Sequence, residues 1–483
     1  MPASSRTPPP PGPGNAPGSR NTPGTGRRFF IENLGCAKNQ VDAEVMIAAL
    51  ERDAWECVDD PGSADVILVN SCGFIEPAKQ ESIDVTLAML GNYPDARVVM
   101  TGCLSQRYPD QLVVEIPELA GVFGNRAPHR IAAFLRTLDA GGTRVSVPDA
   151  ALDSHERSRL LSLPGSAYVK VSEGCDNRCS FCAIPLIRGR ARSKPLDAIV
   201  TEIRTLVDRG IREINLVAQD LASYGADRRG AGAAIVDAGA VSVDARVTGV
   251  SLLRAISQVP GNFWVRLLYV YPDRFPDGFL EIVRDDPRIL PYFDIPFQHA
   301  STTVLRRMAR PGTADGYLDL VARIRDALPD VFLRSTFLVG FFGEDDAAFE
   351  ELLAFQQKVR LDWLGVFPYS PEDGTRAMKG DPPLDVPPEL ALRRADLVAE
   401  RQREITHERV ERLVGRTLDV LVEELVPHEP LALGRCYAQA PDVDGAVVIH
   451  VPDPSDGPAV VPGEFIRCAI VRRNGLDVEA VPL

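Results

Sequence analysis

The sequence predicts an α/β protein in three parts: an N-terminal parallel α/β domain, a central partial (β/α)6 barrel and a small C-terminal antiparallel β-barrel. Three observations carry this reading. Short apolar runs alternate with helix-patterned stretches over 28–140 and again over 160–386, which implies parallel sheets with helical crossovers. After a charged helical linker at 387–413, residues 414–483 change to short β-rich runs divided by Pro, Gly and Asp turns, the pattern of a small barrel or sandwich. A length of 483 residues leaves room for about three domains of ordinary size.

Residues 1–27 are mostly Pro, Gly, Ser, Thr, Asn and Arg. They cannot bury enough apolar surface to offset the entropy of ordering, so a disordered tail is expected. Arg27-Arg28-Phe29-Phe30 has the look of a twin-arginine export signal, but Glu32, Asn33, Gly35 and Lys38 follow where an apolar segment is needed. No apolar run approaches the roughly 20 residues of a membrane helix, and a cytoplasmic protein is expected.

In the N-terminal domain, strands are predicted at 28–31, 66–69 and 98–100, with helices at 42–50 and 80–90. A cysteine follows each strand: Cys36, Cys72 and Cys103. Loops at the carboxyl ends of parallel strands line the crevice of an open sheet, so these three can meet on one rim. In the central part, strands are predicted at 168–171, 213–217, 263–268, 293–295, 331–339 and 363–367. The helix at 195–209 sets Leu196, Ile199, Val200, Ile203, Leu206 and Val207 on one face. Six such units leave a barrel open where two more would close it. Residues 226–249, rich in Ala and Gly, read as a surface loop. Strands at 418–422, 446–451 and 465–471 complete the chain.

Charged residues make up 25% and hydrophobic ones 45%, with a net charge of −14. This balance excludes a wholly disordered chain and lacks the broad basic surface of a nucleic-acid binder. Nine cysteines, unevenly spread, suit metal or redox chemistry in a reducing compartment better than a disulfide framework.

The densest signal is Cys175-Asp176-Asn177-Arg178-Cys179-Ser180-Phe181-Cys182, directly after the first barrel strand. Three thiolates so close can wrap an iron–sulfur cluster, and a cubane bound by three cysteines keeps one iron free of protein. A Cys₃His zinc site is the alternative, but the next histidine along the chain is His299.

This CxxxCxxC motif, with Phe181 before its last cysteine, resembles the radical S-adenosylmethionine superfamily. The resemblance implies that Cys175, Cys179 and Cys182 ligate a [4Fe-4S] cluster whose open iron chelates S-adenosylmethionine and cleaves it to a 5′-deoxyadenosyl radical. Asn33-Leu34-Gly35-Cys36-Ala37-Lys38-Asn39-Gln40, Val69-Asn70-Ser71-Cys72-Gly73-Phe74-Ile75 and Met100-Thr101-Gly102-Cys103-Leu104-Ser105-Gln106-Arg107 are similar to the methylthiotransferase domain. There Cys36, Cys72 and Cys103 would hold a second [4Fe-4S] cluster that carries the sulfur to be inserted. Residues 414–483 take the place of the TRAM domain. One S-adenosylmethionine would supply the methyl group and a second the radical, which abstracts hydrogen from an unactivated carbon.

Two branches of this family differ in substrate, a tRNA adenosine beside the anticodon or an aspartate β-carbon in the twelfth protein of the small ribosomal subunit. Arg266-Leu267-Leu268-Tyr269-Val270-Tyr271-Pro272, Phe293-Asp294-Ile295-Pro296-Phe297-Gln298-His299-Ala300-Ser301 and Gly365-Val366-Phe367-Pro368-Tyr369-Ser370 resemble the ribosomal branch. Charge points the same way. Residues 414–483 hold five arginines, no lysine and eleven acidic residues, a net of −6, which would repel phosphates and suit a basic ribosomal protein. The acidity could also be only a solubilising surface. A reductant protein and a sulfur donor are implied partners; neither a membrane nor a nucleic-acid substrate is expected.

Other positions carry open readings. Gln219 and Asp220 end the second barrel strand, and Arg334 and Ser335 lie on the fifth; they either hold the cofactor or serve the framework. Gln298 and His299 end the fourth strand, with His299 read as structural. Tyr269 and Tyr271 line a substrate pocket or pack the sheet. Cys57, Cys436 and Cys468 are read as structural. Gly340-Phe341-Phe342-Gly343-Glu344 lacks the proline of the family's Gly-Phe-Pro-Gly-Glu turn, which puts that turn's geometry in question. A cluster protein that carries electrons without catalysis is the remaining rival.

Overall fold

Parallel strands buried on both faces read as continuous apolar runs, and Val66–Ser71 is such a strand, with all six residues buried. The computed structural model describes residues 27–149, 156–228, 247–379, 386–453 and 457–483. The expected tail, except Arg27, and residues 229–246 of the expected 226–249 loop lie outside the described residues.

The first sheet has six parallel strands in the order Trp55–Cys57, Arg27–Asn33, Val66–Ser71, Arg97–Thr101, Gly121–Gly124 and Val145–Ser146. The three strands read from sequence are adjacent in its centre. Helix Ala37–Arg52 lays Ala43, Met46, Ile47 and Leu50 against Phe29, Val66, Leu68 and Phe123 on one face. The other face buries Ile67, Val69, Val98 and Met100 with Leu104 and Leu112.

The second sheet runs Ser166–Lys170, Glu213–Val217, Trp264–Leu267, Ile289–Asp294, Phe332–Val339 and Trp363–Pro368, all parallel and neighbours in chain order. The first and last of these do not pair, so the barrel is open. The fourth strand begins at Ile289, four residues before its expected start. Pro291 interrupts the apolar pattern there, and it falls within the register shift opposite Val265 and Leu267, where a missing N–H costs no ladder bond.

Strands Thr417–Leu425, Leu431–Arg435, Val447–His450, Asp477–Pro482 and Phe465–Asn474 close a five-stranded barrel. Four pairs are antiparallel, as expected, but Val447–His450 and Asp477–Pro482 run parallel. The last strand inserts between two earlier ones, and that insertion sets its direction.

Helix Pro388–Glu411 is fastened to the central domain. Gln402 Nε2 donates to the Leu361 carbonyl at 2.8 Å and Thr406 Oγ1 to the Asp362 carbonyl at 2.8 Å. The small barrel docks on the amino ends of the central strands. Glu213, fully buried at the start of its strand, binds Arg435 at 2.6 Å and Arg266 at 3.0 Å. Trp264 packs on Phe465 at a tilt of 51° with ring centroids 4.5 Å apart, and Trp363 Nε1 donates to the Ala438 carbonyl at 2.7 Å. The turn after Arg435 projects into the lumen: Arg266 donates to the Tyr437 carbonyl at 2.8 Å, and the hydroxyls of Tyr168 and Tyr292 reach Asp442 and Asp444 at 3.3 and 2.6 Å.

Candidate functional site

Cys36, Cys72 and Cys103 follow the three central strands of the first sheet, whose register aligns Asn33, Asn70 and Thr101. Glycines at φ +89° and +94°, Gly35 and Gly102, turn the chain just before Cys36 and Cys103. A Cβ at Gly35 would lie 3.0 Å from Cys72 Cβ, and one at Gly102 would lie 2.5 Å from the Ser71 carbonyl oxygen. Only glycine fits this approach of three loops. Asn39 Nδ2 donates to the Ser71 carbonyl at 2.8 Å, and Asn70 Nδ2 to the Asn39 carbonyl at 2.7 Å, which pins the rim. Burial, with Cys103 and Cys36 adjoining, pushes the Cys72 thiol up to about 12; burial also raises Cys103.

The second triad lies in the loop after Glu173. Gly174, at φ +72°, would set a Cβ 2.1 Å from the Arg190 carbonyl oxygen. Burial pushes Cys175 up to about 11 and Cys182 to about 12, with the other thiols of the triad adding to it. Cys179 Sγ lies 3.9 Å from the Tyr271 hydroxyl and 3.9 Å from Arg310 Nη1. The Arg310 guanidinium stacks 4.0 Å from the Tyr271 ring centroid.

All six cysteines are free thiols. Among the described residues no three of His, Cys, Asp or Glu converge as the ligands of one metal ion would. Each thiolate of a cubane binds a different iron, so such a cluster needs grouped but spaced sulfurs, and both triads suit that demand. His299, weighed above as a zinc ligand, is fully buried between the Ser301 amide and Glu344, 3.0 and 3.3 Å away.

Between the triads runs a buried charge network. Arg188 donates to Asp42 at 3.0 Å, Glu173 at 2.8 Å, Asn39 Oδ1 at 2.7 Å and Cys103 Sγ at 3.5 Å. Lys170 binds both Asp42 and Glu173. Lys38 Nζ stands 4.3 Å from the Tyr269 ring centroid. Segment 269–271 thus faces one triad through Tyr269 and the other through Tyr271. Tyr269 and Gln298 hold φ of 61° and 71°, a conformation rare for bulky residues and often found at functional sites.

Gln219 Nε2 donates to Glu173 at 3.4 Å and leaves its Oε1 buried without a partner. Arg334 points at Asp444, 3.7 Å away, with its Nε lacking a hydrogen bond. Ser335 is fully buried and accepts from the Phe297 amide at 3.1 Å. Asp220 binds Asn177 at 2.9 Å and Arg274 at 3.0 Å and so braces the second triad's loop. Cys57 receives a hydrogen bond from Arg159 at 3.4 Å, and Cys436 and Cys468 are buried in the small barrel. Phe342, in place of the proline, packs on Phe341 and Tyr369 at 5.2 and 5.3 Å, while Gly340 and Gly343 at φ +77° and +71° make the turn. Lys38, Asp42, Lys170, Arg188 and Arg310 were not read from sequence; the one available signal was that Lys38 and Arg188 lie two and six residues beyond a triad cysteine.

Three family models match the chain: "Uncharacterized protein family UPF0004" over residues 28–124, "Radical SAM superfamily" over 169–355 and "TRAM domain" over 414–483. Among solved structures, a radical S-adenosylmethionine methyltransferase, TsrM from Kitasatospora setae, aligns with a TM-score of 0.53 at 16% identity. It covers 71% of this chain and 74% of that one, a likeness of fold. Fold, motif and model matches define a radical S-adenosylmethionine enzyme with a second cysteine triad. Among curated relatives, the ribosomal protein uS12 methylthiotransferase RimO of Treponema denticola is 41% identical over 92% of this chain and 99% of its own length. That of Symbiobacterium thermophilum is 40% identical over 92% of this chain and 89% of its own. The chain belongs to the RimO family of ribosomal protein uS12 methylthiotransferases.

Proposed function

We propose that this protein installs a methylthio group on the β-carbon of an aspartate in uS12, the twelfth protein of the small ribosomal subunit. In this reading Cys175, Cys179 and Cys182 hold the [4Fe-4S] cluster that binds S-adenosylmethionine, and Cys36, Cys72 and Cys103 hold the second. When bound, these groups supply the 5′-deoxyadenosyl radical and the methylthio sulfur. The chain's own part is to bind, orient and keep water from the radical. Segment 269–271, which touches both triads' surroundings, carries the reading, because a single short stretch of chain borders both centres that the reaction would need to bring to one carbon.

Arg310, stacked on Tyr271 and turned to Cys179, keeps a positive charge beside the second triad. Gln219 and Arg334, each with an unpartnered polar atom, are candidate cofactor contacts. Ser335, already bonded to a backbone amide, serves the strand instead.

A tRNA substrate is disfavoured by the small barrel. All five of its arginines are engaged with carboxylates: Arg416 with Asp330, Arg435 with Glu213, Arg467 with Asp419, Arg472 with Glu479 and Arg473 with Glu411. Phosphate binding would first have to break those pairs. A reductant protein and a sulfur donor complete the set of partners, and cytoplasmic operation fits a ribosomal substrate. Among the described residues no helix is long and apolar enough to cross a membrane.

Peptide mass analysis of uS12 from cells with and without the gene tests the reading. Methylthio-aspartate appearing only with the gene is the expected result; unmodified uS12 in both would overturn it.

A further inference from the structure

Lys38 is the second residue of the helix Ala37–Arg52, just beyond Cys36. It is only 7% exposed, yet among the described residues its ammonium makes neither a hydrogen bond nor an ion pair. Among the described residues its specific contact is the Tyr269 ring, 4.3 Å away, which attracts a cation but takes up few of its donor bonds. The stem is buried and the ammonium is left to solvent and the ring, so it is free to receive an anion that comes to this site.

The carboxylates around it are occupied or turned elsewhere. Asp42 and Glu173 are both bound by Lys170 and Arg188. Asp294 acts on Lys38 through space without reaching it. The nearby charges therefore leave room for one more anion. Tyr269, held at φ 61°, keeps its ring against the ammonium, 4.3 Å from Nζ, so an anion would meet Nζ on a side the ring does not cover.

We infer that Lys38 is the carboxylate-binding group of the substrate subsite, its ammonium receiving the side-chain carboxylate of the peptidyl aspartate. This rests on the function proposed above. The contact would hold the aspartate's β-carbon one bond from the fixed carboxyl and between segment 269–271 and Cys36. A nucleobase carries no such group, and an asparagine side chain carries no charge for the ammonium, so the same contact selects the residue. The competing role for Lys38 is to balance the charge of a cluster on Cys36.

The test is a double-mutant cycle on the full chain with both clusters reconstituted. Affinities are measured by fluorescence anisotropy for a uS12 peptide carrying the target aspartate and for its asparagine counterpart. Wild-type protein is expected to favour the aspartate peptide by about tenfold or more, the scale of a charge-assisted hydrogen bond. Lys38→Met is expected to bind the two peptides equally, with iron and sulfide content unchanged, and Lys38→Arg to regain part of the preference. If Lys38→Met keeps the wild-type preference, or loses iron while keeping it, the inference is overturned and the function stands. If wild-type protein binds neither peptide and leaves uS12 unmodified, both fall together.

Discussion

Arg188 Nη2 lies 3.5 Å from Cys103 Sγ, while Nη1 of the same guanidinium binds Glu173, two residues before Cys175, at 2.8 Å. One buried side chain thus links the surroundings of both triads across the boundary between two domains. The planar fork of arginine makes this possible, because it serves four acceptors in fixed directions. Glu173 and the other anions hold the guanidinium charged despite complete burial. Hydrogen bonds to ligand sulfurs tune iron–sulfur potentials, so in the ligand assignment proposed above Arg188 would influence the first cluster as well as fasten the domains.

Replacing Arg188 with Met is expected to cost about 3–5 kcal/mol, since Asp42 and Glu173 would stay buried with only Lys170 between them. Thermal unfolding of the two proteins measures it. Arg188→Lys should lose less, as it keeps the charge but not the fork. Equal melting temperatures for wild type and the Met variant would contradict the assigned role.

The two triads should be separable by iron content. Cys72→Ala is expected to remove roughly half of the iron and sulfide and to leave S-adenosylmethionine cleavage to 5′-deoxyadenosine intact. Cys179→Ala should also lose roughly half of the iron but abolish cleavage. Iron and sulfide assays with product chromatography distinguish them. Cleavage surviving in Cys179→Ala would reverse the assignment.

Gly174→Ala tests the cradle rather than a ligand. The new Cβ would stand 2.1 Å from a backbone oxygen at φ +72°. Such strain costs on the order of 1–3 kcal/mol, and the chain must shift next to Cys175. Poorer cluster incorporation and a lowered unfolding temperature are expected. Gly141→Ala, also at positive φ but with open space around it, is the control and should keep full iron content.

Asp294 gives a pH signature. Burial, partly opposed by Arg334, raises its carboxyl from 3.8 to about 6. The folded state therefore binds a proton that the unfolded chain releases between those values. Its contribution to stability is full below pH 3.8 and is lost as pH rises through about 6, a change of about 3 kcal/mol at most. Asp294→Asn should be stabilised relative to wild type progressively from pH 4 to pH 7. Urea titrations at pH 4.5 and 7.5 check this, and parallel pH dependence in both proteins would refute it.

The sequence disclosed the parts with strong local pattern and not those made by assembly. Val66–Ser71 opens with the apolar run Val-Ile-Leu-Val, Phe332–Val339 pairs two apolar ends around Arg334, Ser335 and Thr336, and the cysteine spacing of 175–182 carries its own chemistry. Gly121–Gly124 begins and ends with glycine, and Val145–Ser146 has two residues, too little for any periodicity to register. Leu431–Arg435 mixes Gly and Arg into its run and gains its place only by barrel closure. Lys38 and Arg188 look like ordinary surface cations in the sequence, where helical position is visible but burial is not. What buries them is the packing of helix Ala37–Arg52 and its neighbouring loops on the central domain, a property of tertiary arrangement.

The turn after Arg435 bears on how a folded ribosomal protein could be handled. With Tyr437, Asp442 and Asp444 lodged among Arg266, Tyr168 and Tyr292, the barrel's lower mouth is stoppered by the chain itself. A polypeptide cannot be threaded through such a vessel from end to end; it has to come in over the upper rim or through the open side, where Ser166–Lys170 and Trp363–Pro368 leave the sheet unclosed. The substrate therefore presents its target residue from outside, without its chain passing through the barrel.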